Sequence, residues 1–203
     1  MRVEKLLQIS GPALGRSGVM DEWPANESLR ALLLRRNGFF AFESALRVFP
    51  AEETSLSYGL GEWNSPDLWI SSYGGLADGL FFFAEDVFGG QFCLKEEQVY
   101  SFNPETAELT LAGGNLEAWA DAILKDYDFL TGYALAHEWQ IKHGTLASKV
   151  RLIPKVPFVC GGEYKVDNLA AVDAARAMRS RGNLAQQIQS LPDGSQIKFE
   201  LVD

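Results

Sequence analysis

Alternating apolar and polar residues mark the middle of the chain as a series of short strands. The stretch LFFFAEDVFGGQFCLKEEQVYSFNPETAEL, from Leu80 to Leu109, consists of runs rich in aromatic and β-branched residues, separated by turn sequences. Gly89-Gly90 supplies positive φ for one turn, and Asn103-Pro104 opens another. Links this short cannot carry a parallel crossover, so we predict an antiparallel meander of up to four strands over about residues 80–111.

Helical periodicity follows the meander. Asn115 is predicted to cap a helix whose apolar residues fall at i, i+3, i+4, i+7 and i+8, namely Leu116, Trp119, Ala120, Ile123 and Leu124. A second helix is predicted from about Asp128 to Lys142, ended by Gly144. Its predicted apolar face holds Leu130, Tyr133, Ala134, His137 and Ile141. Two helices joined by a short link favour an antiparallel pair lying on the sheet.

The pattern of the N-terminal third also predicts mainly helices. We predict a helix over Glu27–Arg36, capped by Asn26 and stopped by Asn37-Gly38. A second short helix is predicted over Phe39–Phe49, and a loop over residues 51–64. Ser65-Pro66-Asp67 has the composition of an N-cap with proline at the first helical position, which predicts a short helix through Ile70.

The C-terminal third is less regular. Residues 150–160 alternate apolar and polar residues but contain Pro154 and Pro157, so we predict an edge strand or an extended connector. A helix is predicted from a cap at Asp167 or Asn168 to about Arg181, where Gly182-Asn183 would begin another short helix. Residues 191–194 have the composition of a type I turn, and residues 197–201 alternate as a terminal strand. The whole pattern predicts an α+β fold with a central, mostly antiparallel sheet flanked by helices.

Charge is distributed unevenly along the 203 residues, whose formal net charge is -9. Between Val48 and Ile141 there are sixteen acidic residues and only two basic ones, Lys95 and Lys125. Such a region opposes binding to nucleic acid, where phosphate neutralisation supplies much of the affinity, and favours a basic protein partner. The alternative is that these acidic residues only keep the surface soluble.

Other features of the chain predict a cytoplasmic protein without membrane contact. The N-terminus MRVEKLLQIS lacks the apolar region of a secretory signal, and no apolar run approaches the roughly 18 residues of a membrane span. Cys93 and Cys160 lie far apart and have neither metal-ligand nor redox-motif spacing. We therefore predict two buried, reduced thiols.

No catalytic or metal-binding motif is complete. In HEWQIKH, His137 and His143 are six residues apart and point to different sides of a helix, which excludes a zincin-like site. We predict that His137 is a hydrogen-bonded histidine at the edge of the core. Asp86 precedes a Gly-Gly turn and is predicted to cap backbone N–H groups there. We predict no catalytic residue, no metal and no cofactor.

The order of four segments resembles the SUKH superfamily, which contains the fungal Smi/Knr cell-wall regulators and many bacterial immunity proteins. The segments are NGFFAF (37–42), LFFFAEDVFGGQFCL (80–94), EEQVYSFNPETAEL (96–109) and NLEAWADAIL (115–124). The resemblance covers roughly residues 20 to 126. It implies an α+β fold and no enzyme activity. We predict a single SUKH-like domain over residues 1–203, in which about 127–203, outside the resemblance, is a C-terminal extension packed on the rest.

The resemblance and the charge pattern together predict a binding protein. Bacterial members of the superfamily bind and block a cognate toxin, so we predict a basic protein toxin as partner, contacted by carboxylates near the meander. These are Asp78, Glu85, Asp86, Glu96, Glu97 and Glu105. Two alternatives remain open: a housekeeping regulatory or scaffold protein of the same fold, and an unrecognised hydrolase with a site near His137 and Tyr133.

Overall fold

The centre of the molecule is a six-stranded antiparallel sheet. The structure is a computed structural model that describes residues 1–16, 26–189, 191–192 and 194–195. The strands of the sheet are β1 (Phe39–Ala41), β2 (Leu46–Val48), β3 (Phe81–Glu85), β4 (Gln91–Lys95), β5 (Gln98–Phe102) and β6 (Leu109–Gly113), and neighbours in sequence are neighbours in space. The predicted meander is thus confirmed as β3 to β6, and the fold is α+β.

Seven α-helices flank this sheet in the described part of the chain. They are α1 (Arg2–Ile9), α2 (Glu27–Arg35), α3 (Leu60–Trp63), α4 (Leu116–Lys125), α5 (Tyr127–Thr131), α6 (Tyr133–His143) and α7 (Ala174–Ile188). The predicted caps of α2 and α4 are confirmed, because Asn26 accepts a hydrogen bond from the Leu29 amide and Asn115 accepts one from the Ala118 amide, each at 2.9 Å. None of the described helices has both the length and the apolar character needed to cross a membrane.

The helix predicted over Phe39–Phe49 is wrong, because this segment is the β1–β2 hairpin. Strand β2 pairs with β3, with Val48 opposite Ala84, which places the segment inside the sheet. The turn between β1 and β2 contains three consecutive residues of positive φ, Phe42, Glu43 and Ser44. Short apolar runs do not distinguish helix from strand, and here pairing with β3 decides the outcome.

The helix predicted through Ile70 is also replaced. Residues 66–69 form turns, and a 3-10 helix follows at Ile70–Tyr73. The single helix predicted over Asp128–Lys142 is divided into α5 and α6 at Gly132, whose φ is +71°. A side chain at Gly132 would collide with the ring of Phe88. The predicted apolar face of this helix is wrong in part, since Ala136 is buried but Ile141 is 75% exposed.

The C-terminal third begins with a separate antiparallel pair, β7 (Val150–Pro154) and β8 (Leu169–Asp173). The edge strand predicted over residues 150–160 is confirmed for Val150–Pro154, whereas a 3-10 helix lies at Phe158–Cys160. The helix predicted to start at Asp167 or Asn168 starts later, at Ala174. A 3-10 helix and β8 occupy the earlier residues, and Asp173 caps α7 by accepting from the Arg176 amide at 2.9 Å.

Helix α7 continues without a break through Gly182, contrary to the predicted restart at that position. A side chain at position 182 would collide with the Ser72 carbonyl, so glycine allows α7 to pack tightly on the 3-10 helix Ile70–Tyr73. The predicted strand with Ile197, Phe199 and Leu201 lies outside the described residues, as does Asp193 of the predicted turn.

The main core lies between the sheet and the helices and is rich in aromatic side chains. Its largest fully buried members include Trp63, Trp69, Trp119, Tyr73 and Phe82. A smaller cluster joins α6 to β7 and includes Ala136 and Leu152. Both cysteines are free thiols; Cys93 is buried as predicted, whereas Cys160 is only partly buried.

Candidate functional site

The sheet separates the six predicted carboxylates into two groups at opposite ends. Phe81 is opposite Leu94 and Glu85 is opposite Gln91, so the β4–β5 turn and the β3–β4 turn lie at different ends of the strands. Asp78, Glu96 and Glu97 belong to one end; Glu85, Asp86 and Glu105 belong to the other. A five-residue strand separates these ends by about 15 Å. The six residues therefore do not form one patch.

The first end presents its carboxylates to solvent. Asp78, Glu96 and Glu97 are all exposed. Glu97 accepts a hydrogen bond from the side-chain amide of Asn26 at 3.3 Å. These three residues can contribute to a long-range negative potential, but nothing encloses them in a shaped site.

At the second end, Glu85 is completely buried between two guanidinium groups. One of its oxygens contacts Arg47 Nη2 and lies 2.5 Å from Arg151 Nε, and Gln91 donates to the other oxygen at 3.1 Å. Burial acts to raise the pKa of Glu85, but the two arginines outweigh burial and hold that pKa below its ordinary value. Because Glu85 has no exposed surface, its role is to join β2 and β3 to β7 and not to contact a partner directly.

Asp86 caps the turn that follows β3, as predicted. Its Oδ1 accepts hydrogen bonds from the amides of Phe88 and Gly90, each at 2.8 Å. A side chain at position 90 would collide with Asp86 Oδ2, so glycine is required there for the carboxylate to sit in the turn. Burial raises the pKa of Asp86 to about 7.

Glu105 lies in the β5–β6 turn and is only 4% exposed. Its Oε2 accepts a hydrogen bond from the Val159 amide at 2.8 Å, which attaches the loop after β7 to the meander. Its Oε1 accepts no hydrogen bond from any described residue, and this atom is not sealed from solvent. Asp86 Oδ2 likewise accepts no hydrogen bond from any described residue and is not sealed from solvent.

Asp86 and Glu105 meet at a half-open cleft of about 440 Å³, which we call the aromatic cleft. Its walls come from the meander, α5, the loop after β7, and α7. The lining residues used below are Asp86, Phe88, Glu105, Phe129, Phe158, Tyr164 and Arg181. The cleft therefore lies between the predicted meander and the C-terminal third of the chain.

Aromatic rings form the walls of the aromatic cleft. Phe158 and Tyr164 stack face to face with centroids 3.8 Å apart and an interplanar angle of 6°. Phe88 contacts Phe158 edge to face at 5.6 Å. Two of the rings are largely open to solvent, since Phe129 is 83% exposed and Tyr164 is 63% exposed.

Arg181 lines the inner wall of the aromatic cleft, and its guanidinium is hydrogen-bonded to backbone carbonyls of this chain. Its Nη1 donates to the Phe88 carbonyl and its Nε donates to the Ala177 carbonyl at 3.2 Å. A side chain at Gly89 would collide with Nη2. Burial lowers the pKa of Arg181 from its ordinary value. The guanidinium thus fixes the turn after β3 from behind.

Of the two histidines on α6, His137 lies beside a carboxylate. His137 Nδ1 lies 2.7 Å from Glu43 Oε2, and the Tyr133 hydroxyl donates to Glu43 Oε1 at 3.4 Å. Both His137 and Glu43 side chains are about half exposed, at 46% and 49%. His137 is hydrogen-bonded as predicted, but it lies at an open depression and not at the core edge. Within the described ranges, no group of three or more His, Cys, Asp or Glu side chains is arranged to hold a metal ion.

Sequence reasoning missed most of the aromatic cleft. Asp86 and Glu105 were predicted as binding residues, but Phe129, Phe158, Tyr164 and Arg181 were not. The one signal available was the run from Phe158 to Tyr164, which combines aromatic residues with Gly161-Gly162 as in a shaped loop. Nothing local could indicate that this loop lies beside the meander.

Comparison with known proteins supports the fold only. No protein-family model matches the chain, and no curated protein matches it. The crystal structure of Atu4351 from Agrobacterium tumefaciens has a similar fold, with a TM-score of 0.61 and 16% sequence identity over 89% of this chain and 88% of that chain. Because the similarity extends over nearly the whole length of both chains, the arrangement of the sheet and the C-terminal third occurs in a second protein.

Proposed function

We propose that the protein is a non-catalytic binding module, and specifically a bacterial immunity protein that binds and neutralises a cognate basic toxin in the cytoplasm. The observation that carries this proposal is the aromatic cleft, where exposed rings surround carboxylate oxygens that no described residue uses. The resemblance to the SUKH superfamily supports the same reading and remains a prediction.

The exposed rings favour a protein partner. Large apolar side chains left in contact with water beside polar groups are typical of interaction sites, and aromatic residues are enriched in the buried centres of interfaces. The ring of Phe129, which is 83% exposed, packs little against the rest of the chain. Burying that ring against a partner would remove apolar surface from water and stabilise the complex.

The acidic surface favours a basic partner. Between Val48 and Ile141 the chain has fourteen more acidic than basic residues, and Asp78, Glu96 and Glu97 are exposed at the far end of the sheet. Charges that lie outside the contact itself mainly raise the association rate, and salt screens this effect. A toxin that attacks nucleic acid carries a basic surface, and its charge is therefore complementary to this acidic surface.

Co-expression with the products of the adjacent genes tests the proposal. We expect one of them to co-purify at low salt, with an association rate that falls as ionic strength rises, and to arrest growth when this protein is withheld. Phe129→Ser should weaken the complex, whereas Ile141→Ser, which changes a comparably exposed apolar side chain on α6, should not. Absence of a complex at low salt, or equal weakening by both substitutions, would count against the proposal.

The two alternative functions predict other outcomes. A housekeeping regulator or scaffold of the same fold would bind a partner that is harmless when expressed alone. A hydrolase would turn over substrate and lose that activity on replacement of His137, the one histidine with a carboxylate partner in the described part of the chain.

A further inference from the structure

We propose that the aromatic cleft receives an arginine side chain of the partner protein, with its guanidinium between the ring of Tyr164 and the carboxylates of Glu105 and Asp86. This inference rests on the proposed function and deepens it, since it assigns the chemistry of the partner group. The cleft combines negatively charged acceptors with aromatic faces, and arginine is the side chain that uses both.

Two acceptor atoms are free to bind such a group. Glu105 Oε1 and Asp86 Oδ2 accept no hydrogen bond from a described residue, and neither atom is sealed from solvent. Each carboxylate is held in place by its other oxygen, Glu105 by the Val159 amide and Asp86 by the amides of Phe88 and Gly90. The free oxygens are therefore pre-positioned, and a guanidinium that binds them orders no flexible side chain of this protein.

The rings provide a flat surface next to these acceptors. Tyr164 is stacked on Phe158 through one face and is 63% exposed, so its outer surface is available. A guanidinium is planar, is more weakly hydrated than an ammonium and stacks on aromatic faces while donating hydrogen bonds in its plane. Lysine can supply charge but not the planar set of donors, and a neutral side chain supplies no charge.

The existing cation at the cleft does not occupy this position. Among the described residues that line the cleft, Arg181 carries the single positive charge, and its guanidinium donates to the carbonyls of Phe88 and Ala177 behind the turn. Its charge offsets part of the negative charge of Asp86 and Glu105 but leaves their outward oxygens free. An added guanidinium therefore meets acceptors and not a competing donor.

Binding of a cation should depend on the protonation of Asp86. The charged groups that face Asp86 are Glu85 on β3 and Arg181 on α7, with Tyr164 and Glu105 across the cleft. Because burial raises the pKa of Asp86 to about 7, this group is partly protonated near neutral pH. A guanidinium favours the ionised form, so affinity should increase from pH 6 to pH 8 with release of a proton.

The test uses Nα-acetyl-L-arginine amide as the probe, with the lysine and citrulline amides as matched controls, titrated into the full chain and followed by two-dimensional NMR. We expect saturable shifts for the arginine probe at Tyr164, Phe129 and Val159, and weaker binding of the lysine probe. The citrulline probe, which has nearly the shape of arginine but no charge, should give no saturable shifts at these residues. Equal binding of citrulline and arginine, or arginine-induced shifts confined to other surfaces, would overturn the inference.

Two substitutions address the cleft directly. Glu105→Gln keeps an oxygen acceptor for the Val159 amide but removes the charge, and should weaken arginine binding by about tenfold. Tyr164→Leu removes the exposed ring and should weaken binding by about threefold to fivefold. Glu138→Gln, at an exposed position on α6 outside the lining of the cleft, should leave the affinity unchanged. The native amide spectrum of each variant shows whether it is folded.

The outcomes separate this inference from the proposed function. If a toxin co-purifies but the arginine probe does not bind, the protein is an immunity protein whose cleft has another occupant, and the inference fails. If the probe binds at the cleft as described but no basic partner is found, the arginine site is retained and the proposed function fails.

Discussion

Glu85 and Arg151 form a fully buried ion pair that joins the two sheets, with Glu85 Oε1 2.5 Å from Arg151 Nε and both side chains at 0% exposure. Glu85 belongs to β3 of the six-stranded sheet, and Arg151 belongs to β7 of the two-stranded sheet. Arg47 on β2 contacts the same carboxylate oxygen and also donates to the Ser148 carbonyl at 2.8 Å. The single carboxylate is thus shared by two buried guanidinium groups at the boundary between the meander and the C-terminal third.

Glu85→Gln should be among the most destabilising substitutions in the protein. It leaves both guanidinium groups buried without their counter-charge, so we expect a loss of about 3–5 kcal/mol in the free energy of unfolding, measured by urea denaturation with tryptophan fluorescence. Arg151→Met should be less harmful, because Glu85 and Arg47 still neutralise each other. Glu97→Gln, at the exposed β4–β5 turn, is the control. A variant Glu85→Gln within 1 kcal/mol of wild type would show that the pair contributes little.

Asp86 should give the protein a distinct pH dependence of stability. Burial raises the pKa of Asp86 from 3.8 to about 7, so the folded protein holds this proton more tightly than the unfolded chain. The contribution of Asp86 to stability is therefore present in full below the unfolded pKa, falls as the pH rises from about 4 to about 7, and is constant above that range.

Asp86→Asn isolates this effect. Asparagine keeps an oxygen that can accept from the amides of Phe88 and Gly90 but cannot ionise. The variant should match wild type at low pH and become progressively more stable than wild type as the pH rises to about 7. Urea unfolding at a series of pH values checks this expectation. Glu85, which loses its stabilising charge in acid, titrates in both proteins and cancels in the difference. Parallel pH profiles would contradict the assignment to Asp86.

Two glycines within helices should respond to alanine in opposite directions. A Cβ at Gly182 of α7 would lie 2.6 Å from the Ser72 carbonyl oxygen, whereas a Cβ at Gly61 of α3 would have no atom within 4 Å. Helix propensity alone favours alanine by up to about 1 kcal/mol at both positions. At Gly182 the collision with backbone outweighs this gain, since overpacking destabilises by about 1–3 kcal/mol.

We therefore expect Gly182→Ala to lower the melting temperature and Gly61→Ala to raise it slightly, as measured by circular dichroism. If both variants were stabilised, α7 would have room to move away from the 3-10 helix Ile70–Tyr73. The close packing of these two elements would then be incorrect.

The β1–β2 turn should become more stable with glycine at Ser44. Its φ of +71° is unfavourable for a residue with a Cβ but free for glycine, which loses more chain entropy on folding. The net gain should be up to about 1 kcal/mol in the free energy of unfolding, measured by urea denaturation. Ser71→Gly, at an exposed position without positive φ, has no strain to relieve and should be destabilising. A loss of stability in both variants would mean that the Ser44 backbone is not strained.

The accuracy of the sequence predictions varied with how local the determining interactions are. The α2 and α4 caps and the Asp86 turn were predicted correctly, because a capping side chain bonds to backbone two to four residues away. The β1–β2 hairpin was mistaken for a helix, because its place in the sheet depends on the pairing of β2 with β3, more than thirty residues away. Helix α7 was misplaced for a related reason, since β8 exists only by pairing with β7.

The sequence by itself determined the meander, its turns and the excess of carboxylates around it, since alternation, turn residues and charge can be read from neighbouring positions. Only the tertiary structure decided which carboxylates share a surface. It buried Glu85 between Arg47 and Arg151, left Glu96 and Glu97 at the far end of the sheet, and brought Tyr164 and Phe129 to the free oxygens of Asp86 and Glu105. The physical reason is that burial and ion pairing depend on which segments pack together, and this packing is set by the whole chain.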